Sequence, residues 1–201
     1  MKIKRILLMA ALLSGCVLIS AKVALPGIIG DNMVLQQKSQ AGIWGWTKPG
    51  KEVRVEASWG ESVSTKADVT GKWKVLINTP EASFEKRTIT ISDGDKVTLK
   101  DILIGEVWLC GGQSNMEMRI GDGVIGMEQT IAQDEAKIRY EGWQKCKGKN
   151  IIDFSAAGYY FGKYLMENLN CPIGLIESCW GGTLAEAWTS RESLEEIPYF
   201  Q

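Results

Sequence analysis

At 201 residues, 45% of them apolar and 23% charged, the chain has the balance of a soluble globular protein, with room for one large domain or two small ones. Its net charge is −1, and no cluster of Lys or Arg occurs beyond the first five residues, which argues against a nucleic-acid partner and against a polybasic membrane surface. The chain has no histidine and its five cysteines form no C-x-x-C pair, so no metal site and no cofactor is expected.

In chain order, Lys2, Lys4 and Arg5 precede the apolar run Ile6–Leu13 and then the small residues Ser14, Gly15, Ser20 and Ala21. This is the pattern of a secretory signal peptide over residues 1–21, too short and wrongly flanked for a membrane span. Cleavage after Ala21 predicts a secreted or periplasmic protein beginning at Lys22. The string Leu13-Ser14-Gly15-Cys16 also reads as a lipobox, and a membrane enters the picture only if Cys16 is lipidated. Export permits disulfides among Cys110, Cys146, Cys171 and Cys179, but Cys110 and Cys179 sit in apolar, strand-like runs where small buried thiols are the simpler reading. Eight tryptophans are many for this length, and both sugar stacking and core packing account for them.

Residues 22–103 read as a β-rich, sandwich-like domain. Gly42–Trp46, Glu52–Ala57 and Thr88–Ile91 alternate or are β-branched and aromatic, with turn signals at Lys48-Pro49-Gly50, Thr70-Gly71-Lys72 and Ser92-Asp93-Gly94-Asp95. Residues 104–201 differ in character. An apolar strand, Ile104–Cys110, runs into Gly111-Gly112, and a helix over 155–169 is capped by Ser155 and ended by Asn170, with Tyr160, Phe161, Tyr164, Leu165 and Leu169 at helical spacing. A second strand from Pro172 to Ile176 then leads to Gly181-Gly182. Strand, helix, strand predicts a βαβ unit of an α/β sheet, whose ligand sites lie beyond the carboxyl ends of the strands. Both glycine pairs fall there.

The sharpest local feature is Gly111-Gly112-Gln113-Ser114-Asn115-Met116. A serine between the end of a strand and the start of a helix exposes its hydroxyl next to backbone N–H groups that stabilise a negative oxygen. Taken alone, the same pattern describes an ordinary helix N-cap serine at least as well. It is not a G-x-S-x-G elbow, since Met116 replaces the last glycine, and it is not a phosphate loop, since no Gly-Lys-Ser/Thr follows.

The wider string from Gly105 to Met118 resembles the nucleophile block of the sialate O-acetylesterase family, a family of SGNH-type hydrolases. Pro172–Ile176 with Trp180-Gly181-Gly182-Thr183 and Glu186-Ala187-Trp188 is similar to a second block, Leu25-Pro26 and Asp31–Gln37 to the opening strand, and Phe154–Gly162 to the helix between the blocks. The resemblance covers nearly all of the chain after residue 21. It implies that residues 104–201 are the first part of a flavodoxin-like α/β domain. It also implies a serine esterase that removes O-acetyl groups from sialic acid or related acetylated sugars, with Ser114 holding the acetyl group as an acyl-enzyme. The Ser114 N–H with Gly181 or Gly182 would form the oxyanion hole. Gln113 or Asn115 would add a side-chain donor to the substrate, or close the turn by hydrogen bonds. Glu186 would contact sugar or serve as a first-turn helix acid, and Trp180 and Trp188 would wall a sugar pocket or simply pack.

The family's general base is a histidine in a downstream Asp-x-x-His block, which this sequence does not contain, and the chain is shorter than the family between Tyr140 and Glu141. The expectation is therefore an N-terminal fragment with little or no esterase activity of its own, because a serine hydroxyl needs an adjacent base. A partial sheet of this kind is expected to leave apolar surface uncovered and to be aggregation-prone. An acetylxylan esterase and, in another class, a non-catalytic secreted carbohydrate-binding protein are the alternatives.

Overall fold

The computed structural model describes residues 23–123 and 134–200; the expected signal segment 1–21, Cys16 included, lies outside the described residues. The first half is built from strands β1 (Val34–Gln36), β2 (Gln40–Trp46), β3 (Glu52–Ala57), β4 (Ser62–Lys66), β5 (Lys72–Asn78) and β6 (Ser83–Ser92). Strict alternation in β3 and β5 turns Val53, Val55 and Ala57, and Trp73, Val75 and Ile77, to one side, as the two-residue period of a strand requires. β2 and β5 pair antiparallel as a separate two-stranded sheet, while β4, β3 and β6 belong to the main sheet. Ile43, Ile77, Ile89 and Ile91 are fully buried within the core of this sandwich-like region.

The seventeen-residue strand β7 (Lys96–Gly112) links this region to the rest. Its first part pairs antiparallel with β6, from Lys96 opposite Ser92 to Ile104 opposite Ser83. Its middle runs parallel to β1, with Val34 opposite Leu103. Its last part runs parallel to β10 (Ile173–Cys179), from Glu106 opposite Ile173 to Gly112 opposite Cys179. The change of character near residue 103 is thus a change of partners along one continuous strand.

With β8 (Asp134–Tyr140) and β9 (Gln144–Lys147), the main sheet reads β4-β3-β6-β7-β10-β8-β9, with β1 added against β7. The α/β class expected for the chain is present: β7, β10 and β8 are parallel neighbours, and helix α2 (Ala156–Leu169; the short α1 is described with the site) connects back to β10. The Ser155 hydroxyl accepts the Gly158 N–H at 3.1 Å, and Asn170 ends the helix in the left-handed region at φ 48°.

Of the repeat that marks this helix in the sequence, Tyr160, Phe161, Tyr164 and Leu169 are exposed, the Phe161 ring standing edge-on to Trp108 at 5.1 Å, while Leu165 packs against the core. The sheet instead receives Ala156, Gly158, Tyr159 and Gly162. The reason is close approach, since a Cβ on Gly162 would lie 2.8 Å from Leu175 Cδ1. Cys110, Ile120, Phe154, Tyr159, Ile173 and Leu175 form this second core. No disulfide joins the four described cysteines, and Cys110, Cys146 and Cys171 are buried among apolar neighbours.

Candidate active site

β7 ends at Gly112, and a single helical turn, α1 (Ser114–Glu117), follows. Gly112 has φ 154°, and a Cβ on it would lie 3.1 Å from Met116 Cβ, so the turn is tight enough to favour glycine. Gln113 is the N-cap residue: its carbonyl accepts the Met116 N–H at 3.0 Å and the Glu117 N–H at 2.9 Å. Ser114 stands one position inside, so its hydroxyl is not used as a cap. It is exposed, and among the described residues neither its Oγ nor its backbone N–H has a hydrogen-bond partner.

The parallel pairing of β7 with β10 brings the ends of both strands to the same edge, and the turn after β10 lies against the Ser114 turn. Three hydrogen bonds hold them together. The Trp180 N–H donates to the Gly112 carbonyl at 3.2 Å, Gln113 Nε2 to the Thr183 carbonyl at 2.6 Å, and the Gly181 N–H to Glu117 Oε2 at 2.6 Å. An open cleft of about 540 Å³ is lined by Ser114, Glu117, Met118, Arg119, Asp122, Gly181 and Gly182.

The residues singled out in the sequence fare differently here. Ser114, Gly181 and Gly182 converge on one cleft. Gly181 is nevertheless not a free oxyanion donor, because its N–H is committed to the Glu117 carboxylate. Gly182, with φ 75°, has an N–H without a partner among the described residues, so it stands with Ser114 as the available pair. Gln113 closes the turn through the bond from its Nε2 to the Thr183 carbonyl. Asn115 is exposed and takes no part in these three bonds. Glu186 lies in a short 3-10 turn, Ala185–Trp188, as an exposed first-turn acid away from the cleft lining. Trp180 is 70% exposed beside the glycines, and Trp188 Nε1 donates to Thr183 Oγ1 at 2.7 Å, which in turn donates to the Trp180 carbonyl at 2.7 Å.

Glu117 went unremarked in the sequence. The signal was there: it lies three residues after Ser114, which puts both on one face of a helical turn.

Behind the turn, the Cys179 thiol donates to Glu177 Oε1 at 3.0 Å, and the Ser155 N–H donates to Glu177 Oε2 at 3.3 Å. Burial, then the bond to Glu177 and the charges of Glu177 and Glu117, push the Cys179 thiol up to about 12. Burial and the Glu177 charge also raise Cys110. Both sulfurs therefore stay protonated at neutral pH and are poor nucleophiles, which leaves the Ser114 hydroxyl as the exposed nucleophilic group of the cleft. Around it stand two carboxylates, Glu117 and Asp122, and one guanidinium, Arg119, whose Nη1 lies 3.8 Å from Asp153 Oδ1.

No family model matches the chain. It is 32% identical over 202 residues to the sialate O-acetylesterase of Homo sapiens, covering 83% of this chain and 39% of that protein. It is 30% identical over 201 residues to the sialate O-acetylesterase of Mus musculus, covering 82% of this chain and 37% of that protein. A crystal structure of a carbohydrate acetylesterase from Xanthomonas citri matches with a TM-score of 0.79 and 31% identity, covering 90% of this chain and 45% of that one. The chain thus spans less than half the length of these proteins. The chain is similar to sialate O-acetylesterases in sequence across more than four-fifths of its own length, and to a carbohydrate acetylesterase in fold across nine-tenths of it.

Proposed function

We propose that this chain carries the nucleophile side of a serine esterase that removes O-acetyl groups from sugars. The observation that carries the reading is the exposed Ser114 hydroxyl on a tight strand-to-helix turn, next to two unpartnered N–H groups, those of Ser114 and Gly182. The names of the relatives point to the same chemistry.

In this mechanism Ser114 Oγ attacks the acetyl carbonyl carbon, and the two N–H groups receive the oxyanion of the tetrahedral intermediate. The bond to the sugar oxygen breaks, the sugar leaves as an alcohol with a proton, and the acetyl group stays on Ser114. Water then attacks the acetyl-serine, releasing acetate and restoring the hydroxyl. The hydroxyl proton needs a base, and these 201 residues contain no histidine to take it. Glu117 is a poor substitute, because its carboxylate already accepts the Gly181 N–H. The base therefore comes from outside these residues, and the test belongs on the full-length gene product. Export, either as a free protein or anchored at Cys16, places that reaction outside the cytoplasm in this reading.

For the sugar, the charge around the cleft favours the neutral-sugar alternative, an acetylxylan esterase, over a sialic acid. Among the described residues the cleft is lined by two carboxylates and one guanidinium, a balance that disfavours a carboxylated substrate. The full-length protein should release acetate from acetylated xylose oligomers and from an O-acetylated sialic acid at rates that rank in that order. Acetate release that persists in Ser114→Ala would refute the esterase reading; the opposite ranking would refute the sugar preference alone.

A further inference from the structure

Backbone pairing between β7 and β10 stops at Gly112 opposite Cys179, so the turn that follows has no ladder to hold it. Among the described residues, what hydrogen-bonds residues 180–183 to the nucleophile turn is one backbone bond and two side chains, Gln113 and Glu117. Of the two, Glu117 supplies the charge-assisted bond, a carboxylate accepting a backbone N–H at 2.6 Å, and it grips the residue between the exposed Trp180 and the donor Gly182. A glycine at 181 leaves room for this bond: a Cβ there would lie 2.5 Å from Glu117 Oε2, so the carboxylate would have to swing away from the Gly181 N–H. By occupying the Gly181 N–H, Glu117 also determines which amide of the turn is left to face a substrate.

The geometry points to Glu117 as a positioning residue of the active site, which pins the Trp180–Gly182 turn to the Ser114 turn so that the N–H groups of Ser114 and Gly182 jointly receive the acetyl oxyanion. This rests on the esterase reading above. Glu117 does not touch the reacting atoms in this scheme and takes no proton from Ser114. Its carboxyl oxygen acts as a hydrogen-bond acceptor, a duty that an amide oxygen also performs.

The test uses the full-length protein and 4-nitrophenyl acetate, a small ester that needs no sugar contacts, with kcat and KM measured for wild type, Ser114→Ala, Glu117→Ala, Glu117→Gln and Gly181→Ala. Loss of the tether displaces a donor from the transition state, an effect on the order of 100-fold in rate. Glu117→Ala should lower kcat by about that factor with KM within about threefold, and Glu117→Gln should restore the rate to within about fivefold of wild type. Gly181→Ala, which keeps both groups but forces them apart, should repeat the loss in kcat.

Deuterium uptake by residues 180–183 gives a readout that does not depend on turnover: it should rise in Glu117→Ala and stay near wild type in Glu117→Gln. Wild-type or faster kcat in Glu117→Ala overturns the proposal, as does unchanged uptake. Equal losses in Glu117→Ala and Glu117→Gln also overturn it, since charge or proton transfer would then be the carboxylate's contribution. Turnover that survives Ser114→Ala sinks the esterase reading itself, a result separable from all of these.

Discussion

The sandwich-like region and the α/β region bury their apolar residues to different degrees. In the first, Val53, Val55, Ile77, Ile89 and Ile91 are fully enclosed between β2–β5 and the main sheet. In the second, α2 covers the side of β7 on which Cys110 lies, while Leu109, the residue before it and facing the other way, is 69% exposed. Trp180, Leu184 and Tyr199 are exposed as well. Parallel sheets are ordinarily covered on both faces, and among the described residues this part of the sheet is covered on one. The sandwich closes through antiparallel neighbours supplied by nearby sequence. The α/β part depends on crossovers and on elements contributed from far along a chain. Its open strand ends are also where a substrate can reach a serine.

That contrast can be broken or sharpened in order of effect. Chemistry should respond to one half only: Ser114→Ala in the full-length protein should cut acetate release by at least about 1,000-fold while leaving the melt unchanged. Next in size is the sandwich core. Trp73→Ala, at a side chain only 2% exposed, should cost about 3–5 kcal/mol in a urea titration; a cost near zero would mean that the sandwich is not the main store of stability. Gly162→Ala, which crowds α2 against Leu175 at 2.8 Å, should cost about 1–3 kcal/mol. Leu109→Ser should change stability by no more than about 0.5 kcal/mol but lower light scattering on heating; a large stability loss would show that this face is covered after all.

The smallest expected effect lies at high pH. The Cys179 thiol is raised in the folded protein, so its stabilising contribution is complete below the unfolded thiol range near 9.0 and is lost as pH rises toward about 12. Above pH 9 the unfolded chain binds fewer protons than the native one at this residue, so stability must fall with pH. The decline in melting temperature between pH 9 and 11 should be shallower in Cys179→Ala than in wild type. Equal slopes would place the titration elsewhere.

Much of this was legible without a structure, for local reasons. Period-two alternation marks β3, Ser155 and Asn170 bound α2 by capping chemistry that needs only a few neighbouring residues, and the glycines before Ser114 mark a strand running into a turn. The sequence also contained the resemblance that the relatives and the solved acetylesterase bear out.

Other features depend on contacts between residues distant in sequence. The outward face of the α2 aromatics follows from how closely Gly162 lets the helix approach Leu175. The continuity of β7 across residue 103 follows from its successive pairing with β6, β1 and β10. The commitment of the Gly181 N–H to Glu117, which leaves Gly182 beside Ser114, joins residues 64 apart in the chain. Spacing along a sequence specifies which backbone shapes are easy; only the parallel alignment of β7 with β10 decides which donors and acceptors meet, because a hydrogen bond depends on distance and angle in space.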